Sequence, residues 1–275
     1  MGAGRSSGGP PARLQFAYRP YVLTVPWVSL GIFEDTSTPA VVTTTGTTNP
    51  TTASFSPPAN TLLVALVGGG FGTTLPTSAV VTDTGSHVWT VGARATGVKS
   101  SAGGVALIAY TYLLSAPGGI QVNAAFTNRT GGSLLAVRVL NNVSPSQVGA
   151  GSGTAATTSS TAGTVGVTTT VTGSQIYGIS DDAGSSSDGY TLNGATVALA
   201  NGTYVDGTDS VELVAWKATT LTTTPGPTTV GGTWGFATSS SVAALEILPF
   251  GAPVVSIFPP VVQIISQAVM RAACI

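Results

Sequence analysis

Three groups of residues in this 275-residue chain have types that could do chemistry. Asp83, Ser86 and His87 bring a carboxylate, a hydroxyl and the only histidine together, the parts of a nucleophilic triad. Adjacent turn residues rarely reach triad geometry, and no Gly-x-Ser-x-Gly elbow is present, so His87 reads as a turn or strand-entry residue. Asp181, Asp182 and Asp188 sit in a Ser/Gly-rich stretch and offer hard oxygen ligands of the kind calcium takes. Their spacing matches no EF-hand loop, and Asp206 and Asp209 fall in a separate turn-like segment, so turn-forming aspartate is the plainer reading. A glycosidase pair needs two carboxyl groups about 5–9 Å apart across a cleft, and nothing in the sequence sets that separation.

Two further patterns are weaker. Gly68, Gly69, Gly70 and Gly72 follow an apolar run, but no helix and no Gly-Lys-Ser/Thr comes after them, which excludes a phosphate loop. Trp89, Tyr190, Tyr204, Trp216 and Trp234 could stack on sugar rings, although aromatics in strands more often fill cores. The glycosylation patterns at Asn128, Asn142 and Asn201 are what chance supplies in a chain this rich in Ser and Thr. No metal or cofactor is expected, and the chain reads as non-enzymatic.

Composition points the same way. Charged residues are 7% and the formal net charge is −1, which leaves no basic footprint for nucleic acid. Hydrophobic residues are 43%, enough for a substantial core. A nearly neutral Thr- and Ser-rich surface has little colloidal repulsion and suits a protein that lives in an assembly. Cys274 is the only cysteine, so no internal disulfide framework is expected. No run reaches the roughly 18 apolar residues of a membrane-spanning helix. The apolar stretch at residues 21–30 follows Arg5, Arg13 and Arg19, but Pro26 breaks it and no convincing cleavage site follows, so a secretory signal is not expected.

The elements that must position these residues are strands. Leu62 to Val67 is an unbroken apolar run, entered through Pro57-Pro58-Ala59-Asn60 and left through three glycines. Such a run predicts a strand buried on both faces. Alternation at Ile120, Val122, Ala124 and Phe126 predicts a half-buried strand. Further strands are expected at residues 80–83, from Trp89, and at 104–114, 133–140, 165–171, 175–180, 196–200, 211–217, 231–236 and 241–248. A loop is expected at 181–189. The Gly/Ser/Thr/Ala stretch 149–163 reads as a long flexible connection. About ten strands with no helical period between them predict an all-β, antiparallel β-sandwich, jelly-roll-like, over residues 37–250. Residues 1–36 read as an extended N-terminal arm. Residues 251–275 read as a C-terminal extension ending in a short amphipathic helix, too short to be stable alone.

Residues 50–250 resemble a domain of minor tail and other virion structural proteins of tailed bacteriophages, particularly those of actinobacteria. The likeness is carried by Phe55-Ser-Pro-Pro-Ala-Asn-Thr-Leu-Leu-Val-Ala-Leu66, Val81-Thr-Asp-Thr-Gly-Ser-His-Val-Trp-Thr90, Ala109-Tyr110 with Ala116-Pro117, and Ser241-Val-Ala-Ala-Leu-Glu-Ile-Leu-Pro249. It implies a non-enzymatic virion component, a minor tail protein first and a capsid decoration protein or a glycan- or host-receptor-binding module as alternatives. Expected partners are other virion proteins, further copies of the chain among them, and a host cell-surface glycan under the alternative reading. The terminal segments lie outside the likeness, so attachment is expected there. Tyr21, Val25, Trp27, Val28 and Phe33 are the expected docking residues of the arm, and Val261, Ile264, Ile265, Ala268 and Val269 those of the helix stripe.

Overall fold

The computed structural model describes residues 31–70, 79–97, 104–127, 131–184, 189–206 and 209–251. Every element among them is a strand, and all strand pairs are antiparallel. The expected C-terminal helix lies outside the described residues, as does all of the arm before Gly31.

The apolar run becomes strand β3 (Thr61–Gly69), buried at all nine positions. It lies between β6 (Val105–Leu113) and β8 (Ser133–Asn141), with β5 (Thr90–Thr96) beyond β6. β1 (Phe33–Glu34) and β2 (Val42–Thr44) pair with successive stretches of β8 at the opposite edge. Both faces of β3 are covered, which is why its sequence has no alternation. Leu62, Val64 and Leu66 face a second sheet, while Leu63, Ala65 and Val67 face a two-stranded layer of β4 (Ala79–Asp83) and β7 (Val122–Phe126). The Pro-Pro-Ala-Asn entry is a tight turn. Asn60 takes a left-handed φ of 59° and donates its N–H to Leu113 O, and the Thr61 hydroxyl donates to Pro58 O.

The second sheet orders β12 (Thr196–Asp206), β13 (Asp209–Ala218), β10 (Gln175–Gly184) and β14 (Gly226–Pro249), with β11 (Tyr190–Leu192) and β9 (Val143–Thr169) also pairing to β14. β9 runs beside β14 along nearly its whole length, with register shifts between Thr233 and Ser240. At that break the ribbon turns back across the outer face of its own sheet. Val165, Val167 and Val230 of the far half pack on Val242 and Ala244 of the near half and on Ile176 of β10 and Val214 and Trp216 of β13. The architecture is therefore antiparallel sheets packed on one another, with separate cores between them.

Two expectations are corrected. Residues 149–163 form part of β9 and are not a flexible connection. Small residues are needed there because the two halves of β9 meet backbone to backbone. A Cβ on Gly153 would collide with Gly166 O, and one on Gly151 would stand 2.5 Å from Thr168 O. Residues 231–236 and 241–248, read as two strands, are parts of the single strand β14.

Candidate docking corner

Of the residues singled out for chemistry, Asp83, His87 and Asp182 make contacts that hold structure, while Asp181 is buried without a hydrogen bond. Strand β10 extends past Ser180, so Asp181 and Asp182 lie in a strand and not in the expected loop, and both are fully buried. Successive strand residues point to opposite faces. Asp181 follows Tyr177 and Ile179 into the core between the sheets, against Gly104, so the two acids cannot share one ion with side chains converging from a loop. No described group holds either oxygen of Asp181 in hydrogen-bond geometry, and the Ser241 hydroxyl beside it donates to Gly104 O at 3.3 Å. Burial, and then the charge of Asp182, push the Asp181 carboxyl well above its usual value, with Ser241 a lesser opposing influence. Asp182 turns to the outer face, where the Thr238 hydroxyl donates to it, directly across from Glu212 on β13. Glu212 Oε1 accepts from Tyr190 N at 3.1 Å and Asn201 Nδ2 at 3.3 Å. Asp188 lies outside the described residues, and no group of three or more metal-ligating side chains occurs among the described ones.

Asp83 is fully buried at its side chain and gathers His87 Nδ1 at 3.0 Å, His87 N at 3.3 Å and Trp89 Nε1 at 2.6 Å. The carboxylate thus fastens the turn between β4 and β5, with Ser86 at its left-handed position, φ 60°. Of the aromatics considered as a sugar platform, the Tyr204 side chain lies outside the described ones, and the other four share no exposed face. Trp216 and Trp234 are buried, Trp89 packs on the outer core, and Tyr190 lies against Trp234 with ring centroids 4.3 Å apart. The glycines after β3 serve close packing. A Cβ on Gly69 would overlap the Phe126 ring, and one on Gly70 would overlap Val211.

Of the expected docking residues, Phe33 alone is described, and its side chain is exposed at the sheet edge. Tyr21, Val25, Trp27, Val28, Val261, Ile264, Ile265, Ala268 and Val269 lie outside the described residues. The structure does show where their segments join the body. Asn142, just past the end of β8, takes a left-handed φ of 63°. Its Nδ2 donates to Gly31 O at 3.5 Å, and its carbonyl accepts from Phe250 N at 2.6 Å. The arm and the C-terminal extension therefore leave from one corner, pinned by one residue. Phe33 and Phe250 are both exposed there.

Charged groups brace the same corner. Glu34 receives Lys217 Nζ at 3.1 Å and lies 3.7 Å from Arg138 Nη1, so it ties the first sheet to β13 of the second. Arg138 also donates to Leu199 O at 3.4 Å. Burial, and then the charge of Glu34, raise the Tyr177 hydroxyl well above its usual pKa, so it stays protonated. Asp35 accepts from Ser37 N at 2.9 Å and from Asn141 Nδ2 at 2.7 Å; these bonds, the Ser37 backbone first, hold its carboxyl below the usual range. In the sequence alone, Asn142 stands out only as part of a glycosylation pattern. The signal that could mark it is Asn at a strand end, since Asn tolerates left-handed backbone better than other non-glycine residues.

Comparison with protein-family models, with curated proteins and with solved structures finds no match to this chain.

Proposed function

We propose that this chain is a non-enzymatic structural component of a bacteriophage particle, associated with the tail and held to neighbouring subunits through its terminal segments. The observation that carries the reading is the shared exit at Asn142, because two segments leaving one corner can engage one neighbour together. Linked contacts of this kind raise effective concentration and hence avidity without any new surface. The sparse charge and the strand-and-turn likeness to virion proteins support the same reading. So does the use of the buried carboxylates Asp83 and Glu246 as internal fasteners: Glu246 accepts from Thr170 N at 2.7 Å and the Thr170 hydroxyl at 2.8 Å. The jelly-roll-like description of the sandwich belongs to this proposal.

Docking would use the stripe Val261, Ile264, Ile265, Ala268 and Val269 as a helix laid in a groove, together with the arm. The test is incorporation into particles of a chain lacking residues 252–275. The truncated chain should fold and fail to incorporate. Normal incorporation would rule out docking through that end. Copy number in purified particles separates the positions: tens of copies or fewer fit the tail, and hundreds fit capsid decoration.

A further inference from the structure

A cleft of about 260 Å³ opens on the second sheet between the loop Thr220–Thr224 and the start of β14. Ile176, Ala218 and Val230, which belong to the core under the doubled ribbon, supply its apolar surface. The threonines Thr220, Thr223, Thr224 and Thr228 also line it, and no charged residue does. Among the described residues, none hydrogen-bonds the hydroxyls of these threonines. A free threonine hydroxyl can both donate and accept. The lining therefore offers several groups able to bond another hydroxyl in either sense, beside a patch that can take C–H groups.

The loop is held in place by its neighbour strand. Thr222 N donates to Ser174 O at 2.8 Å, Gly173 N to Thr222 O at 2.7 Å, and the Ser174 hydroxyl to Thr222 Oγ1 at 2.9 Å. Gln175 Nε2 donates to Ala218 O at 2.7 Å, which fixes the strand end from which the loop leaves. The cleft is thus preformed, which lowers the ordering cost of binding.

The lining narrows the ligand by its chemistry. Phosphate, sulfate or a carboxylate would find no cation here, and a cation would find no carboxylate. A wholly apolar ligand would strip water from the threonine hydroxyls and return no hydrogen bond. A sugar ring satisfies both kinds of surface, with hydroxyls around its rim and C–H groups on its faces. The volume lies below the roughly 300–1,000 Å³ of sites for drug-sized ligands, which suits a single ring and its linkage.

We propose that this cleft binds one uncharged pyranose unit of a saccharide, with its C–H face on Ile176, Ala218 and Val230 and its hydroxyls bonded to the threonines. The binding itself is independent of the virion reading. Its consequence rests on that reading: a particle carrying several copies would hold a surface glycan through many weak, linked contacts.

The experiment is saturation-transfer NMR on the isolated full-length protein. The probes are the methyl glycosides of glucose, galactose, mannose and N-acetylglucosamine, with N-acetylneuraminic acid as the charged comparison. Transfer is expected to at least one neutral glycoside, strongest to the protons of one ring face, and not to the charged sugar. Thr223→Val and Thr228→Val keep the side-chain shape and delete one hydroxyl each. Each should weaken that binding about three- to ten-fold, the worth of one hydrogen bond. Far-ultraviolet spectra and melting curves check that the variants fold, and exposed Thr223 carries the comparison if Thr228→Val does not. No transfer to any neutral glycoside, equal transfer to the charged sugar, or unchanged affinity in the folded variants would overturn the proposal. Particle incorporation plays no part in the readout, so failure of the virion reading would leave this result standing.

Discussion

At the scale of single residues, Asp35, Asp83 and Glu246 hold structure through hydrogen bonds, while Asp181 is buried without one. Asp181 has a folded pKa above its ordinary value near 3.8. Its contribution to stability is therefore fully present below that value and is lost as pH rises through the folded pKa. Asp181→Asn removes the ionisation, so its melting temperature should fall less steeply than wild type as the pH is raised above about 4. Parallel melting curves across that range check this, and identical slopes would refute it. Asp35 has the opposite sign: its depressed pKa gives stability present above the ordinary value and lost as pH falls. Asn142 carries both backbone strain and the corner's bonds. Asn142→Ala should cost about 1–3 kcal/mol, and Asn142→Gly less because glycine accepts the left-handed backbone freely. Urea titration of the three proteins measures the order.

At the scale of elements, the decisive feature is the long β9–β14 ribbon doubled over its own sheet. Trp216 fills the core this makes, with its ring laid over Gly178, where a Cβ would overlap the indole. Its Nε1 donates to Ser180 Oγ at 2.9 Å. Trp216→Ala should destabilise by about 3–5 kcal/mol, the usual range for deleting a large buried aromatic, as a denaturant titration would measure. Gly178→Ala should also destabilise, because the ring would have to move. Backbone amides of residues 152–157 and 162–168 should exchange slowly, since they belong to a paired strand. Fast exchange across that whole stretch would return it to the flexible connection its composition suggests.

How much of this is legible in the sequence follows from which residues carry a local signal. Residues 61–69 announce a doubly buried strand because a continuous apolar run bounded by turn residues has few other uses. The alternation at Ile120–Phe126 likewise marks a strand, of which Val122–Phe126 forms β7. Residues 149–163 mislead because Gly, Ser and Ala have weak strand preference. Their pairing comes from β14, about 70–95 positions away in sequence, and from the backbone contact at Gly151 and Gly153. Asp181 and Asp182 mislead for a related reason. Aspartate favours turns when exposed, and only the neighbours Leu213 and Ser241 on adjoining strands reveal that the strand continues through it. The corner is invisible because Gly31, Asn142 and Phe250 are distant in sequence and join through two hydrogen bonds.

At the scale of the whole molecule, the described body is a set of packed antiparallel sheets whose two ends meet at one exposed corner. That arrangement separates a stable core from the segments proposed to make attachments. Mutations in the core should alter melting with little direct effect on docking. Changes to residues 252–275 should leave melting of the body nearly unchanged. The central claim is tested most directly by supplying tagged full-length chain, and tagged chain lacking residues 252–275, during growth of the phage proposed to carry it. The tag is then quantified in gradient-purified particles. The account predicts that the full-length chain is recovered with particles and the shortened chain, although folded and abundant in the lysate, is not. Equal recovery of both, or absence of the full-length chain from the particles, would contradict it.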